Sequence, residues 1–204
     1  MEDYKSYNDK LFSRWAPVYD GFEIILHGVR KKIAREINSS NKSVLDVATG
    51  TGSLAIALSS TAKKVVGIDL SSNMLAVANK KRRNDNLSFM QMDASKMDFN
   101  DQEFDIVTIS LGLHDMPLEI RTLVLNEVKR VLKKDGKLFI LEYDLPQNNF
   151  LGFVFSSLIN TFESKYYHDF IESDFDNYLN TFGFKIEKKT NYLFSHLQLL
   201  TLTK

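Results

Sequence analysis

The stretch Ser43–Ala57, "SVLDVATGTGSLAIA", decides the fold. A short apolar run carrying Asp46, a glycine turn at Gly50-Thr51-Gly52 and a small-residue helical pattern describe a buried strand passing into a helix through a tight turn. Glycine at 50 and 52 allows that turn and a close backbone approach, and the start of the helix offers free amide groups to a polar or anionic ligand. Gly50, Gly52 and Ala55 also satisfy the G-x-G-x-x-G/A spacing of dinucleotide-binding turns, so a nicotinamide-dependent oxidoreductase stands as one reading of the turn.

Working outward from this stretch, β-branched runs alternate with longer helical patterns, the mark of βαβ units in a parallel sheet. Strands are expected at 43–48, 64–69, 87–92, 104–110 and 137–143. Helices are expected at about 53–60, 72–82 and 117–133, the last stopped by Asp135-Gly136 in left-handed geometry. Residues 94–103 leave room for one or two helical turns at most. Before residue 40 the spacing predicts two helices broken at Pro17. After the fifth strand come a Pro146-led apolar helix, the aromatic "KYYHDF" at 165–170, and a helix over 171–182 closed by Gly183. The strands in "FKIEKKT" and "LFSHLQLLTLTK" then finish the sheet as an antiparallel edge. The expected fold class is α/β: one Rossmann-like, doubly wound sheet of seven strands, mostly parallel with an antiparallel C-terminal strand, preceded by two N-terminal helices.

The 204 residues, 44% of them hydrophobic, suit one domain and leave little room for a separate substrate domain. Lys plus Arg number 26 and so do Asp plus Glu, so no overall basic field draws the chain to nucleic acid, and no nucleic-acid partner is expected. The basic clusters Arg30–Arg35, Lys80–Arg83 and Lys129–Lys134 read as solvated helix faces. Absence of cysteine removes thiolate nucleophiles and Cys-ligated metal sites. The opening "MEDYKSYNDK" lacks the basic-then-apolar order of a signal peptide, and the longest apolar run, 150–162, falls short of the roughly 20 residues that span a bilayer. A cytoplasmic protein without a membrane span is expected, with peripheral membrane contact through 150–162 as one reading of that run.

Two further carboxylates sharpen the glycine turn. Asp69 closes the second strand in "VVGIDLS", where it can accept hydrogen bonds from ribose hydroxyls, and Asp93 closes the third in "FMQMDAS", where it can accept one from an exocyclic adenine amine. With Asp46 they line one sheet edge. Three carboxylates repel a diphosphate and suit a nucleoside bearing a positive centre, which describes S-adenosylmethionine.

In order and spacing, "VLDVATGTGSLA", "VVGIDLSSNML", "MDAS" and "EVKRVLKKDGKLFILEY" make the chain resemble the class I S-adenosylmethionine-dependent methyltransferases over residues 42–204. Within that class it most resembles the ubiquinone/menaquinone-biosynthesis C-methyltransferase group, to which "RWAPVYDGFE" and "FIESDFDNYLNTFGF" also fit. In that group "DVATGTG", with Ala48, replaces the class's more usual glycine after the first strand, and one departure is Ser53, which stands where the group often has an acidic residue. The resemblance implies that Asp46, Ala48 and the backbone at Gly50 and Gly52 hold the methionine part of the cofactor. It implies further that Asp69 takes the ribose, that Leu70 and Met74 flank the adenine, that Asp93 and Ala94 meet its amino edge, and that Tyr19 closes over the ligand. The chain then divides into an N-terminal helical cap (1–40), a cofactor-binding core (41–145) and acceptor-side helices with the C-terminal strands (146–204), all within one domain.

The fourth strand ends in "TISLGLHDMPLEIR", which puts Leu111, His114 and Asp115 at the ligand-binding edge. His114 is the candidate general base and Asp115 a second; a buried, backbone-bonded histidine and a helix cap ahead of Pro117 are the structural alternatives. Tyr166, Tyr167 and His168 either shape the acceptor pocket or pack as an aromatic cluster. The implied reaction is in-line displacement, with an acceptor nucleophile attacking the methyl carbon and a thioether leaving; no metal is needed. The expected acceptor is a small molecule, lipophilic or quinone-like. An oxidoreductase using the same turn, or a cofactor-binding protein without catalysis, are the alternatives.

Overall fold

A computed structural model describes residues 4, 26, 28–144, 165–193 and 196–204. The Pro146-led helix, the run 150–162 and Tyr19 lie outside the described residues. Of the N-terminal helices, one is described, α1 over residues 28–37.

Seven strands form one sheet: β1 (Ser43–Val47), β2 (Lys64–Asp69), β3 (Leu87–Gln91), β4 (Phe104–Ser110), β5 (Leu132–Tyr143), β6 (Lys185–Tyr192) and β7 (Leu197–Thr203). Their order is β3-β2-β1-β4-β5-β7-β6. Pairs from β3 to β5 are parallel, and β7 runs antiparallel to both β5 and β6. The antiparallel strand therefore lies one place inside the edge, with β6 outermost. The exposed β6 carries Lys185, Glu187, Lys188 and Lys189, charges that discourage further pairing at an open edge.

Burial on both faces explains the apolar runs. Val44, Val65 and Ile106 pack with Ile33 and Ile37 of α1 and with Leu54 and Leu58 of α2 (Ser53–Leu58). Their strand neighbours Leu45, Val66 and Val107 pack on the opposite face with Val124, Leu125 and Val128 of α4 (Leu118–Val131). The two-residue alternation of strands sends adjacent side chains to opposite layers, so the central strands β1, β2 and β4 are apolar on both faces over most of their length. Helix α3 (Ser72–Lys81) is capped by the Ser71 hydroxyl, which accepts from the Met74 amide.

Three boundaries differ from expectation. Helix α4 ends at Val131 and β5 begins at once at Leu132, so Asp135-Gly136 lies inside the strand rather than stopping the helix. Gly136 does not adopt a left-handed φ. A side chain there would come within 2.7 Å of the Leu132 side chain and 3.0 Å of the Asp105 carbonyl, so close approach, not turn geometry, requires glycine. A separate short helix, α5 (Tyr167–Ile171), lies over the aromatic stretch, and the expected helix 171–182 that follows it is shorter, α6 (Phe175–Thr181), started by the Asp174 carboxylate accepting from the Asn177 amide.

Candidate active site

Parallel pairing sets Asp46 of β1 beside Thr108 of β4 and Gly67 of β2. At this level the carboxyl ends of the central strands open into a cavity. Asp46 is 1% exposed; its two oxygens accept from Thr108 Oγ1 at 2.5 Å and Thr49 Oγ1 at 2.6 Å. Burial pushes its carboxyl above the ordinary value, with the Asp69 charge adding to the rise and the two hydroxyls and Arg30 opposing it.

The glycine turn is tied to β2 through Asp69. One carboxylate oxygen accepts from the Gly50 amide and the other from the Ser71 amide, both at 2.8 Å. Ala48 and Gly50 both have φ +54°. Ala48 adopts this left-handed conformation despite its Cβ. Gly52 has φ +79°, and a Cβ on it would fall 2.5 Å from the Phe89 ring.

Of the residues singled out in the sequence, Asp46, Ala48, Gly50 and Asp69 line the cavity from the β1–β2 side. Leu70, Met74 and Ala94 add an apolar wall, and Leu111, His114 and Asp115 line the β4 side. Gly52 and Asp93 are not among the lining residues. Gly52 turns toward Phe89, while Asp93 Oδ1 accepts from the Ser95 amide and hydroxyl and closes a local turn.

His114 is 1% exposed. Its Nδ1 lies 2.7 Å from Glu142 Oε2 and its Nε2 3.4 Å from Asp115 Oδ2, with the Tyr143 ring edge-on at 4.9 Å. Asp115 is buried and is not a helix cap, since the N-cap of α4 is Pro117 and no side-chain cap bond is made there. Tyr167 is buried against His114 and Tyr143, whereas His168 faces solvent.

Several lining residues escaped the sequence reading. Arg30 belongs to a basic cluster expected to be solvated, yet it is 8% exposed and lines the cavity. The signal was its place on the apolar stripe Leu26-Arg30-Ile33-Ile37. Glu142 is not a lining residue, but it follows the buried run Leu138–Leu141 as a buried charge behind His114, a pattern that calls for partners. Thr51 and Ser110 also line the cavity, with buried hydroxyls that have no hydrogen-bond partner among the described residues. An orphaned hydroxyl facing a cavity is a group waiting for a ligand. Carboxylates at Asp46 and Asp69, these hydroxyls and the apolar wall Leu70-Met74-Ala94 together match the cationic, hydroxylated and flat aromatic parts of S-adenosylmethionine.

The model of the ubiE/COQ5 methyltransferase family matches residues 4–182. A demethylmenaquinone methyltransferase of Lactobacillus johnsonii is 38% identical over 165 residues, covering 74% of this chain and 67% of that protein. One from Thermotoga maritima is 37% identical over 167 residues, covering 77% and 71%. Among solved structures, a methyltransferase-type protein of Bacillus halodurans shares 30% identity with a TM-score of 0.64 over 79% of this chain and 71% of that one. An Aquifex aeolicus methyltransferase shares the fold at 19% identity, with a TM-score of 0.67 over 85% and 88%.

Proposed function

Because the chain belongs to the ubiE/COQ5 methyltransferase family and is an S-adenosylmethionine-dependent methyltransferase, we propose that it methylates a ring carbon of a lipophilic, quinone-derived acceptor of the demethylmenaquinol type. The observation that carries this reading is that one cavity runs from the Asp46–Asp69 cradle to His114 and Tyr143, so methyl donor and aromatic acceptor can share one chamber. The cofactor supplies an activated methyl group; the residues align the acceptor with it and keep water out.

Asp69 is assigned the ribose hydroxyls, and Leu70, Met74 and Ala94 the adenine. Asp46, Ala48, Gly50 and the Thr51 hydroxyl are assigned the amino-acid part, and Asp93 the turn that brings Ala94 to the ligand. Leu111 shapes the turn beneath the methyl group. Tyr143 flanks the acceptor ring, and His114, with Asp115 beside it, takes the acceptor's phenolic proton. The whole chain is read as one domain. We assign its action to the cytoplasm, with peripheral contact at the membrane that holds a lipophilic acceptor. Among the described residues no helix is long and apolar enough to cross a membrane, and that contact is consistent with the apolar sequence of 150–162.

The test is turnover with S-adenosylmethionine and a short-chain demethylmenaquinol, following methylated product and S-adenosylhomocysteine. The quinol should react and its oxidised quinone should not, since only the former has a nucleophilic ring carbon. His114→Ala should lower kcat by about 100-fold or more while leaving S-adenosylhomocysteine affinity within about twofold. Turnover confined to acceptors without a phenolic ring overturns the reading.

A further inference from the structure

Helix α1 carries a run of basic residues, and one of them is placed unlike the rest. Lys31, Lys32 and Arg35 are exposed, whereas Arg30 is 8% exposed, on the stripe it shares with Leu26, Ile33 and Ile37. Those three cluster with Val44 and Val65 of the sheet. Burying a guanidinium is costly unless an anion pairs with it. Arg30 lines the cavity together with Asp46, and its charge is one of the effects that oppose the rise of the Asp46 carboxyl. The far end of α1 is fastened to β6. There the Glu36 carboxylate accepts from Tyr192 OH at 2.6 Å, Thr190 Oγ1 at 3.2 Å and Lys188 Nζ at 2.5 Å. The guanidinium is thus presented to the cavity by an anchored helix, the kind of support a binding side chain needs.

The carboxylates Asp46, Asp69 and Asp115 line the same cavity, and among its described lining residues Arg30 is the one lysine or arginine. The amino-acid part of S-adenosylmethionine is a zwitterion. Carboxylates answer its ammonium, but its own carboxylate would be repelled by Asp46 and Asp69 without a cation beside them. Arginine suits that task, because its planar fork donates two parallel bonds to one carboxylate. With five N–H donors it can do so while keeping contacts within the protein. We propose that Arg30 is the binding residue for the α-carboxylate of the cofactor, so that Arg30 and Asp46 form a matched pair for the zwitterion. The pair selects adenosine ligands that carry an intact amino acid over those that have lost the carboxylate. The inference rests on the cofactor and on neither the quinol acceptor nor His114, so an absence of turnover with demethylmenaquinol would fault the acceptor reading and leave this one standing.

Titration calorimetry with S-adenosylhomocysteine and with its decarboxylated analogue, which differs only in lacking the carboxylate, isolates the contact. Wild type should bind S-adenosylhomocysteine about 10- to 100-fold more tightly than the analogue, the scale of a hydrogen-bonded charge pair. Arg30→Gln should lose that preference: its affinity for S-adenosylhomocysteine falls by about the same factor, while the analogue binds within about threefold of wild type. Arg30→Lys keeps the charge but not the fork and should recover only part of the preference. A purely structural arginine gives another pattern. Arg30→Gln then weakens both ligands alike, or neither, and either result overturns the proposal. Equal affinity of wild type for the two ligands overturns it too, and that measurement needs no variant. Where Arg30→Gln does not fold, Arg30→Lys takes its place, and a preference equal to that of wild type overturns the proposal.

Discussion

Strands β1 and β4 lie side by side, and their two ends are built on opposite terms. At the amino end Ser43 and Asp105 exchange bonds: the Ser43 amide and hydroxyl donate to Asp105 Oδ2 at 2.8 and 2.7 Å, and Lys133 Nζ reaches Oδ1 at 2.8 Å. At the carboxyl end, a few residues along the same strands, Ala48 and Leu111 sit in left-handed conformations and the hydroxyls of Thr51 and Ser110 have no partner among the described residues. One end is satisfied and the other holds strain and unmet bonding capacity. A sheet fixed at one end can carry a preorganised, costly arrangement at the other, where a ligand completes it.

The contrast breaks if substitutions at the two ends have interchangeable effects. The largest effect is expected at Asp69→Ala. Its carboxylate both anchors the Gly50 and Ser71 amides and is assigned the ribose, so S-adenosylhomocysteine affinity should fall about 100-fold or more, on the scale of two lost charge-assisted bonds. Titration calorimetry reads the affinity and a thermal melt the stability. The contrast fails if the melt collapses while the remaining folded protein still binds.

Asp105→Asn is the converse. Burial alone would raise the Asp105 carboxyl, but Lys133 and the Ser43 amide and hydroxyl outweigh it and hold it down at about 2, against an ordinary 3.8. A folded-state value below the unfolded one means that its stabilisation is complete above the unfolded value and fades as pH falls toward 2. The variant should lose about 1–2 kcal/mol near neutrality, discounted for partial exposure, and about 2–4 °C of melting temperature per kcal/mol. The gap between wild type and variant should narrow between about pH 4 and pH 2. S-adenosylhomocysteine affinity at neutral pH should not move.

Legibility in the sequence followed contiguity. Strand, carboxylate, glycine turn and helix fall within Ser43–Leu58, so one short reading yields β1, the turn and α2 together. The rest of the site is assembled from pieces far apart: His114 contacts Glu142, 28 positions later, and Arg30 enters from α1. Periodicity reports which face a side chain occupies, and a lone charge in an apolar pattern says that it needs partners without saying which. The misplaced helix stop at Asp135-Gly136 has a similar cause. That dipeptide is a turn signal by composition, and it falls where the β4–β5 register shifts between Phe104–Leu132 and Ile106–Lys137, so it serves as an irregularity inside β5 instead of a helix stop.

The smallest expected effect tests whether the strain at the carboxyl end resides in one methyl group. Ala48 carries its Cβ at φ +54°, and a Cβ built on Gly112 would fall 2.9 Å from it, with the next neighbour, Ile109 Cγ2, at 3.8 Å. The two positions therefore compete for one volume. Gly112→Ala alone should destabilise by overpacking, and Ala48→Gly alone should gain relief from the left-handed penalty but lose a packed methyl, with little net change. The double substitution moves the methyl from a strained backbone to one whose φ is not left-handed. It should exceed the sum of the single changes and match or surpass wild type by up to about 1 kcal/mol, roughly 2–4 °C in melting temperature. Additivity of the two single effects in a double-mutant cycle would show that the methyl groups do not share the space, and that the left-handed turn at Ala48 is held by the backbone bonds around it rather than opposed by its own side chain.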